Sequence, residues 1–112
     1  MKKRADQEYL LHILDAANLI QKYCQALDEE HFKSNQMLQD AVIRQFEIIG
    51  EATKNLSIKL KERAAHIPWK LIAGTRDVLI HQYFGVDLSS IWQYVVLDLP
   101  TLKKEVELLL QA

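Results

Sequence analysis

Apolar residues recur every three or four positions along most of this 112-residue chain, and this spacing restricts the fold more than any other feature. An α-helix turns about 100° per residue, so such spacing places the apolar side chains on one face. No stretch shows the alternating pattern of a half-buried strand. The chain is therefore predicted to be all-α. The first helix is predicted from Asp6 to Leu27, with an apolar face formed by Leu10, Ile13, Leu14, Ala17, Ile20, Cys24 and Leu27.

A second long helix is predicted after the polar connection DEEHFKSN. Ser34 or Asn35 can cap its start with a side-chain oxygen, and the helix should run to about Leu56. Its apolar face consists of Leu38, Ala41, Val42, Ile49, Ala52 and Leu56.

Beside this apolar face lies a polar ladder with spacings of four and three residues, formed by Asp40, Arg44, Glu47, Glu51 and Lys54. Such spacing lets opposite charges pair along a solvated helix face. A second interpretation is that Glu47 or Glu51 turns inward, or across a subunit interface, and pairs with Arg76. Both interpretations remain open on the sequence alone.

The segment Ser57–His66 is predicted to form one or two helical turns and then a loop. Pro68 suits the first turn of a third helix. That helix should stop before Gly85, which can supply a left-handed cap. Asp87 is then predicted to cap the fourth helix.

The last helical pattern continues straight through Pro100, and its apolar members are Leu88, Ile91, Trp92, Val95, Leu99, Leu102, Val106 and Leu109. Proline lacks an N–H and collides with the preceding turn, so a kink or short break is predicted near Leu99. Four main helices with short connections favour an antiparallel four-helix bundle with a kinked or broken C-terminal helix. The length fits one domain, residues 1–112.

The overall composition excludes several classes of function. The net charge of −1 gives no global attraction to nucleic acid, so such binding would need a local patch. The single cysteine, Cys24, excludes an internal disulfide, and four scattered histidines argue against a metal site. No cofactor is expected. The chain start lacks the apolar run of a signal peptide and no segment has the length of a membrane span, so a cytoplasmic protein is expected.

The sequence RDVLIHQY places Arg76, His81 and Tyr83 inside an otherwise apolar helical segment. Arginine is almost never fully buried without a partner, so these side chains either face water or form a site. Arg76 and Tyr83, seven residues apart, share one helix face, whereas His81 is about 140° away from Arg76. Either the long Arg76 side chain wraps round the helix, or a two-fold homodimer brings two copies of the helix together and pools their residues. Asp77 is placed to hydrogen-bond the His81 imidazole.

These residue types suit the cleavage of a phosphodiester. Arginine can clamp a phosphate, histidine can move a proton near neutral pH, and RNA carries its own nucleophile in the 2′-hydroxyl group. From Lys59 to His81 there are five Lys or Arg and two acids, a local charge of +3. Taken alone, the spacing of Arg76 and His81 also arises by chance in helices, and a tyrosine on an apolar face is usually a core residue.

Three longer segments carry a resemblance to a known family: QDAVIRQFEIIGEATKNLS, IPWKLIAGTRDVLIHQYFGVD and IWQYVVLDLPTLKKEVE. Over nearly its whole length the chain resembles the HepT-like toxins of the HEPN superfamily of small helical ribonucleases. The signature of that family is an arginine, four residues, a histidine, one residue and a tyrosine, which matches Arg76, His81 and Tyr83.

The resemblance implies a metal-independent endoribonuclease toxin of a type VII-like toxin–antitoxin system. It implies a homodimer in which Arg76 and His81 of both subunits line a cleft. It further implies a minimal nucleotidyltransferase antitoxin that silences the toxin by transferring AMP to Tyr83. Two alternatives remain: a non-catalytic helical module that binds a nucleotide or a partner, and a purely structural bundle in which Arg76 only pairs with Glu47 or Glu51.

Overall fold

The computed structural model describes residues 2–74 and 87–111, with side chains from Ala5 onward. Every regular element in these two ranges is helical, which confirms the predicted all-α class for the described residues. The elements are α1 (Lys2–Tyr23), α2 (Glu29–Lys33), α3 (Gln36–Lys54), α4 (Ile58–Arg63), a helical stretch at residues 69–74, α5 (Leu88–Gln93), a π-helical stretch (Tyr94–Asp98) and α6 (Leu99–Gln111). Within these ranges, none of the helices combines the length and apolar character that a membrane crossing requires.

The core forms around α1, which packs chiefly against α3 and α6. The predicted apolar face of α1 is its buried face, since Leu10, Ile13, Ala17 and Ile20 are almost inaccessible to solvent. The facing helices contribute residues that the sequence pattern also identified, among them Val42, Ile49, Ala52, Leu99 and Val106. Ile43 and Phe46 of α3 are buried as well, although the predicted apolar face omitted both.

The first helix ends earlier than predicted, at Tyr23 instead of Leu27. Ala26 has a φ of 62°, a left-handed conformation that a helix cannot continue through. Cys24 still donates its N–H to the carbonyl of Ile20 at 3.0 Å, and its side chain remains buried. The apolar spacing therefore outlasts the helix by one turn, which explains the overestimate.

The polar connection DEEHFKSN contains a short helix, α2, which the sequence pattern did not predict. Asp28 caps it by accepting a hydrogen bond from the N–H of His31 at 2.9 Å. That N–H and the imidazole of His31 hold the pKa of the Asp28 carboxyl below its usual range. Phe32 is fully buried, and its carbonyl accepts from the Gln39 side chain at 2.9 Å. One apolar residue among polar neighbours gave no periodicity to detect.

The predicted cap of the second long helix is confirmed at Asn35, whose side chain accepts from the N–H of Leu38 at 3.0 Å. This helix, α3, ends at Lys54, two residues before the predicted end. The short helical segment predicted after Ser57 is also present as α4.

The interruption predicted near Leu99 takes the form of a π-helical stretch and not an open break. The N–H of Leu99 bonds to the carbonyl of Tyr94, five residues earlier, and α6 then continues through Pro100. A π turn widens the helix immediately before the proline, where its ring would otherwise collide with the preceding turn. Both halves of the apolar pattern consequently reach the core, as Val95, Leu99 and Val106 are all buried.

A buried polar contact joins the first helix to the start of α4. The carboxylate of Asp6 accepts from the Ser57 N–H at 2.8 Å and from the Ser57 hydroxyl at 2.6 Å. The same hydroxyl oxygen accepts from the Leu60 N–H at 3.1 Å and so caps α4. Two elements 51 residues apart are thereby fixed to each other.

We expect Ser57→Ala to lower the free energy of unfolding by about 2 kcal/mol, because it removes a helix cap and a charge-assisted hydrogen bond. Chemical denaturation measures this cost. A double-mutant cycle with Asp6→Ala should give a coupling of about 1 kcal/mol or more between the two residues. If the losses in the free energy of unfolding caused by the two substitutions simply add, the contact between Asp6 and Ser57 does not contribute to stability as a pair.

Candidate functional site

The residues predicted to carry the chemistry, Arg76, Asp77, His81 and Tyr83, lie outside the described residues, as does the predicted cap at Gly85. The structure describes the chain on both sides of them, through Gly74 and again from Asp87. The candidate site is therefore defined by these two flanks and by the surfaces next to them.

The N-terminal flank is anchored by Trp69. Its side chain is 6% exposed, and its indole N–H donates to the carbonyl of Ala64 at 3.0 Å. Ile67, just before Pro68, is buried too. The N–H of Ile72 bonds to the carbonyl of Pro68 at 3.0 Å, which confirms that Pro68 opens the helix. The start of the helix that leads to Arg76 is thus held by a buried aromatic side chain.

The C-terminal flank begins with the predicted cap, Asp87, which is confirmed. Its carboxylate accepts from the N–H of Ser89 at 3.1 Å and from the hydroxyl of Ser90 at 2.9 Å. The hydrogen bonds from Ser90 are the main cause of a pKa of Asp87 below its usual range. A lowered pKa means that this cap stabilises the fold above the unfolded-state pKa and loses its effect as the pH falls through the folded-state value.

A groove of about 1130 Å³ lies beside the N-terminal flank. Its wall includes Trp69 and Ile72 from this flank, Phe46 from α3, and Tyr94 and Leu102 from the C-terminal part of the chain. Most of the wall is apolar, and Lys61, Glu62, His66, Lys70, Asp98 and Glu105 add charged or titratable groups. Nothing in the sequence pattern predicted this concave surface, because its walls come from four separate parts of the chain.

A polar contact crosses the rim of this groove. His66 and Glu105 approach to 2.8 Å between Nε2 and Oε2, which joins the turn before Trp69 to α6. His66 was predicted to lie in a loop, and it does lie in the turn after α4. The sequence does not suggest Glu105 as its partner, because 39 residues separate them.

The two glutamates proposed as partners of Arg76 lie on α3. Glu47 is part-buried and 3.5 Å from Arg44, so the ladder forms at least one of its predicted pairs. Glu51 is exposed, one turn further along. Both line a smaller pocket of about 320 Å³ together with Tyr9 and His12 of α1. The predicted contact with Arg76 involves a residue outside the described ranges and stays a prediction.

The described residues contain no group of three or more His, Cys, Asp or Glu side chains arranged to hold a metal ion. His12, His31 and His66 are all exposed and lie on separate elements. Burial raises the pKa of the Cys24 thiol, which disfavours its thiolate form. Cys24 is accordingly a core residue in this fold.

Comparison with known proteins identifies the family. The profile described as "Ribonuclease HepT-like" matches residues 13–109, which include the second half of α1, all of α3, the RDVLIHQY motif and most of α6. The chain belongs to the HepT-like ribonuclease family. This confirms the resemblance inferred from the three sequence segments.

Individual relatives agree with this assignment. A Methanocaldococcus jannaschii protein named as a gamma-glutamylcyclotransferase and putative RNase is 51% identical over 98 residues, 88% of this chain and 44% of that protein. The chain thus spans less than half the length of that relative. A second protein of the same organism, named as a putative RNase, is 41% identical over 108 residues, 96% of this chain and 99% of the relative.

A Thermococcus cleftensis protein named as a probable ribonuclease HepT is 43% identical over 105 residues, 94% of this chain and 96% of the relative. No solved structure matches the chain.

Replacing Trp69 tests how firmly the N-terminal flank of the site is anchored. Trp69→Phe keeps an aromatic ring but removes the hydrogen bond to Ala64, so we expect a loss of about 1–3 kcal/mol in the free energy of unfolding. Trp92→Phe is the matched control: Trp92 packs on Phe32 at 5.5 Å between ring centroids and is only half-buried. Equal losses in the two variants, measured by denaturation, would contradict a special role for Trp69.

Proposed function

We propose that this chain is a metal-independent endoribonuclease that cleaves RNA through Arg76 and His81. The observation that carries the proposal is the family match over residues 13–109, which contains the RDVLIHQY motif intact. The relatives named as RNases, two of which align over nearly their full length, support the same activity. The two fixed flanks and the adjoining groove add a concave surface on which a polymer could lie.

In the proposed reaction the 2′-hydroxyl oxygen of one nucleotide attacks the adjacent phosphorus. A new bond from this oxygen to phosphorus forms while the bond from phosphorus to the 5′-oxygen breaks. The products are a 2′,3′-cyclic phosphate and a 5′-hydroxyl end. His81 transfers a proton as general base or acid, and Arg76 stabilises the charge that develops on the phosphate oxygens. Asp77 orients the His81 imidazole.

The proposal includes a homodimer of single-domain subunits. The wheel positions of Arg76 and His81 differ by about 140°, so two copies of the helix would complete one site more easily than a single copy. Each subunit is a bundle of four main helices, consistent with the packing of α1 against α3 and α6. In this arrangement Glu47 or Glu51 would pair with Arg76 and hold its guanidinium group in place.

The regulation we propose is covalent. A minimal nucleotidyltransferase, acting as antitoxin to this toxin in the cytoplasm, transfers AMP to the Tyr83 hydroxyl. The Tyr83 oxygen attacks the α-phosphorus of ATP and pyrophosphate leaves. A bulky anion at that position would obstruct the cleft and repel the RNA backbone.

Activity is tested with purified protein and RNA in the presence of a metal chelator. We expect His81→Ala to reduce cleavage by about 100-fold or more, the usual contribution of a general acid or base. His31→Ala is the matched control, since the His31 side chain is exposed on α2 and pairs with Asp28, the cap residue of that helix. Undiminished cleavage by a folded His81→Ala variant would remove this residue from the mechanism. Intact RNA with the wild-type protein would favour a binding module instead.

Tyr83→Phe separates regulation from catalysis. We expect this variant to cleave RNA but to resist silencing by the nucleotidyltransferase and ATP, because the accepting hydroxyl is gone. Intact mass spectrometry should show one or more added adenylyl groups on the wild-type protein only. Full silencing of Tyr83→Phe would place the control elsewhere.

A further inference from the structure

Basic residues are concentrated in one short part of the chain. Five of its fourteen Lys and Arg residues lie between positions 54 and 70, against a single acid, Glu62. The stretch has a charge of +4 in a chain whose net charge is −1. These cations are Lys54, Lys59, Lys61, Arg63 and Lys70.

These side chains are available to bind an anion. Four of the five are exposed, and Lys61 is half-buried. None of them forms an ion pair within the described residues, where the lysine and arginine pairs are Lys33 with Glu29 at 3.4 Å and Arg44 with Glu47 at 3.5 Å. Lys59 and Arg63 are also four residues apart on α4, where like charges repel. Cations that repel one another and have no ion-pair partner among residues 5–74 and 87–111 are stabilised by an anionic ligand.

The basic stretch borders the large groove. Lys61 and Lys70 both line it, together with Ile58 and Leu71, which are 74% and 73% exposed. Tyr94, 39% exposed, lies in the same wall and meets Phe46 with ring centroids 6.4 Å apart. The groove thus combines an apolar surface and an exposed aromatic ring with two lysines. Three acids, Glu62, Asp98 and Glu105, line it as well, and Glu105 is 2.8 Å from His66.

We propose that α4 and this groove form an extended binding site for single-stranded RNA, outside the RDVLIHQY motif. Lys59, Lys61, Arg63 and Lys70 bind backbone phosphates, and an unpaired base stacks on Tyr94. This inference rests on the proposed function and adds how the substrate is held. The chemistry favours a single strand, because bases inside a duplex cannot reach an aromatic ring in a groove.

The salt dependence of binding gives the expected size of the effect. Each phosphate contact to a single strand contributes about −0.7 to the slope of log affinity against log salt. Four contacts predict a slope of about −2.8 from this site alone, and removing two cations should reduce it by about 1.4. Raising the salt from about 50 to 200 mM should therefore weaken binding by the parent protein roughly sevenfold more than binding by a variant that lacks two of these cations.

Fluorescence anisotropy with a labelled single-stranded RNA of about 16 nucleotides tests the site. The measurements use the full chain with His81→Ala to prevent cleavage, without added metal. The test variant is Lys59→Gln with Arg63→Gln. The matched control is Lys22→Gln with Lys104→Gln, which removes the same charge from two exposed lysines on α1 and α6.

The test pair should bind RNA roughly tenfold more weakly and with the reduced salt slope, whereas the control pair should bind almost like the parent protein. Tyr94→Leu should weaken binding by roughly fivefold or more without changing the slope, since stacking involves no counterions. A fully paired duplex of the same length should bind more weakly than the single strand.

The outcomes separate this inference from the proposed function. Equal losses in the test and control pairs, or none in either, would overturn the site. Cleavage by wild-type protein together with unchanged binding by the test pair would also overturn it and leave the ribonuclease intact. RNA binding that depends on these residues, without any cleavage, would support the binding site and contradict the proposed ribonuclease activity. If Tyr94→Leu fails to fold, the variant Lys59→Gln with Arg63→Gln on α4 still tests the binding site.

Discussion

Burial of one face of α1 is the constraint on which the rest of the structure depends. This helix packs against both α3 and α6, so the first and last helices of the described structure share one core. Residues such as Ile13 and Ile20 are fully buried between them. Burying a side chain of this size contributes about 1.5–3 kcal/mol, a large fraction of the stability of a small domain. The two flanks of the RDVLIHQY motif are held by shorter elements attached to this core.

Much of the fold followed from the sequence because it depends on local chemistry. Asn35 and Asp87 cap helices, as their side-chain oxygens favour. A π-helical stretch precedes Pro100, whose ring would collide with a regular preceding turn. The errors arose where tertiary contacts decide the outcome. Phe32 makes α2 part of the core although its neighbours are polar, and the sequence contains no local sign of this.

The candidate site divides in the same way. Its chemical residues are a prediction from the RDVLIHQY motif, which combines a cation, an imidazole and a phenol, and the profile match confirmed the family resemblance that supports this prediction. The contacts that hold the flanks of the site, and the groove beside them, could not be predicted. The Trp69 bond to Ala64, the His66 contact with Glu105 and the groove each require knowledge of which surfaces meet, and no spacing rule supplies that.

The supports also suggest why the chemical segment can carry polar residues that a core helix would exclude. Trp69 anchors the chain before the motif and Asp87 begins a new capped helix after it, so the folding free energy of both flanks is supplied by groups that take no part in catalysis. The proposed function assigns the chemistry to Arg76 and His81, which lie between these two anchors in the sequence. The proposed role of the basic stretch fits the same separation, because its cations form no ion pairs within the described residues and are proposed to bind RNA instead. The two proposals thus assign stability, substrate attraction and catalysis to different residues of one small helical chain.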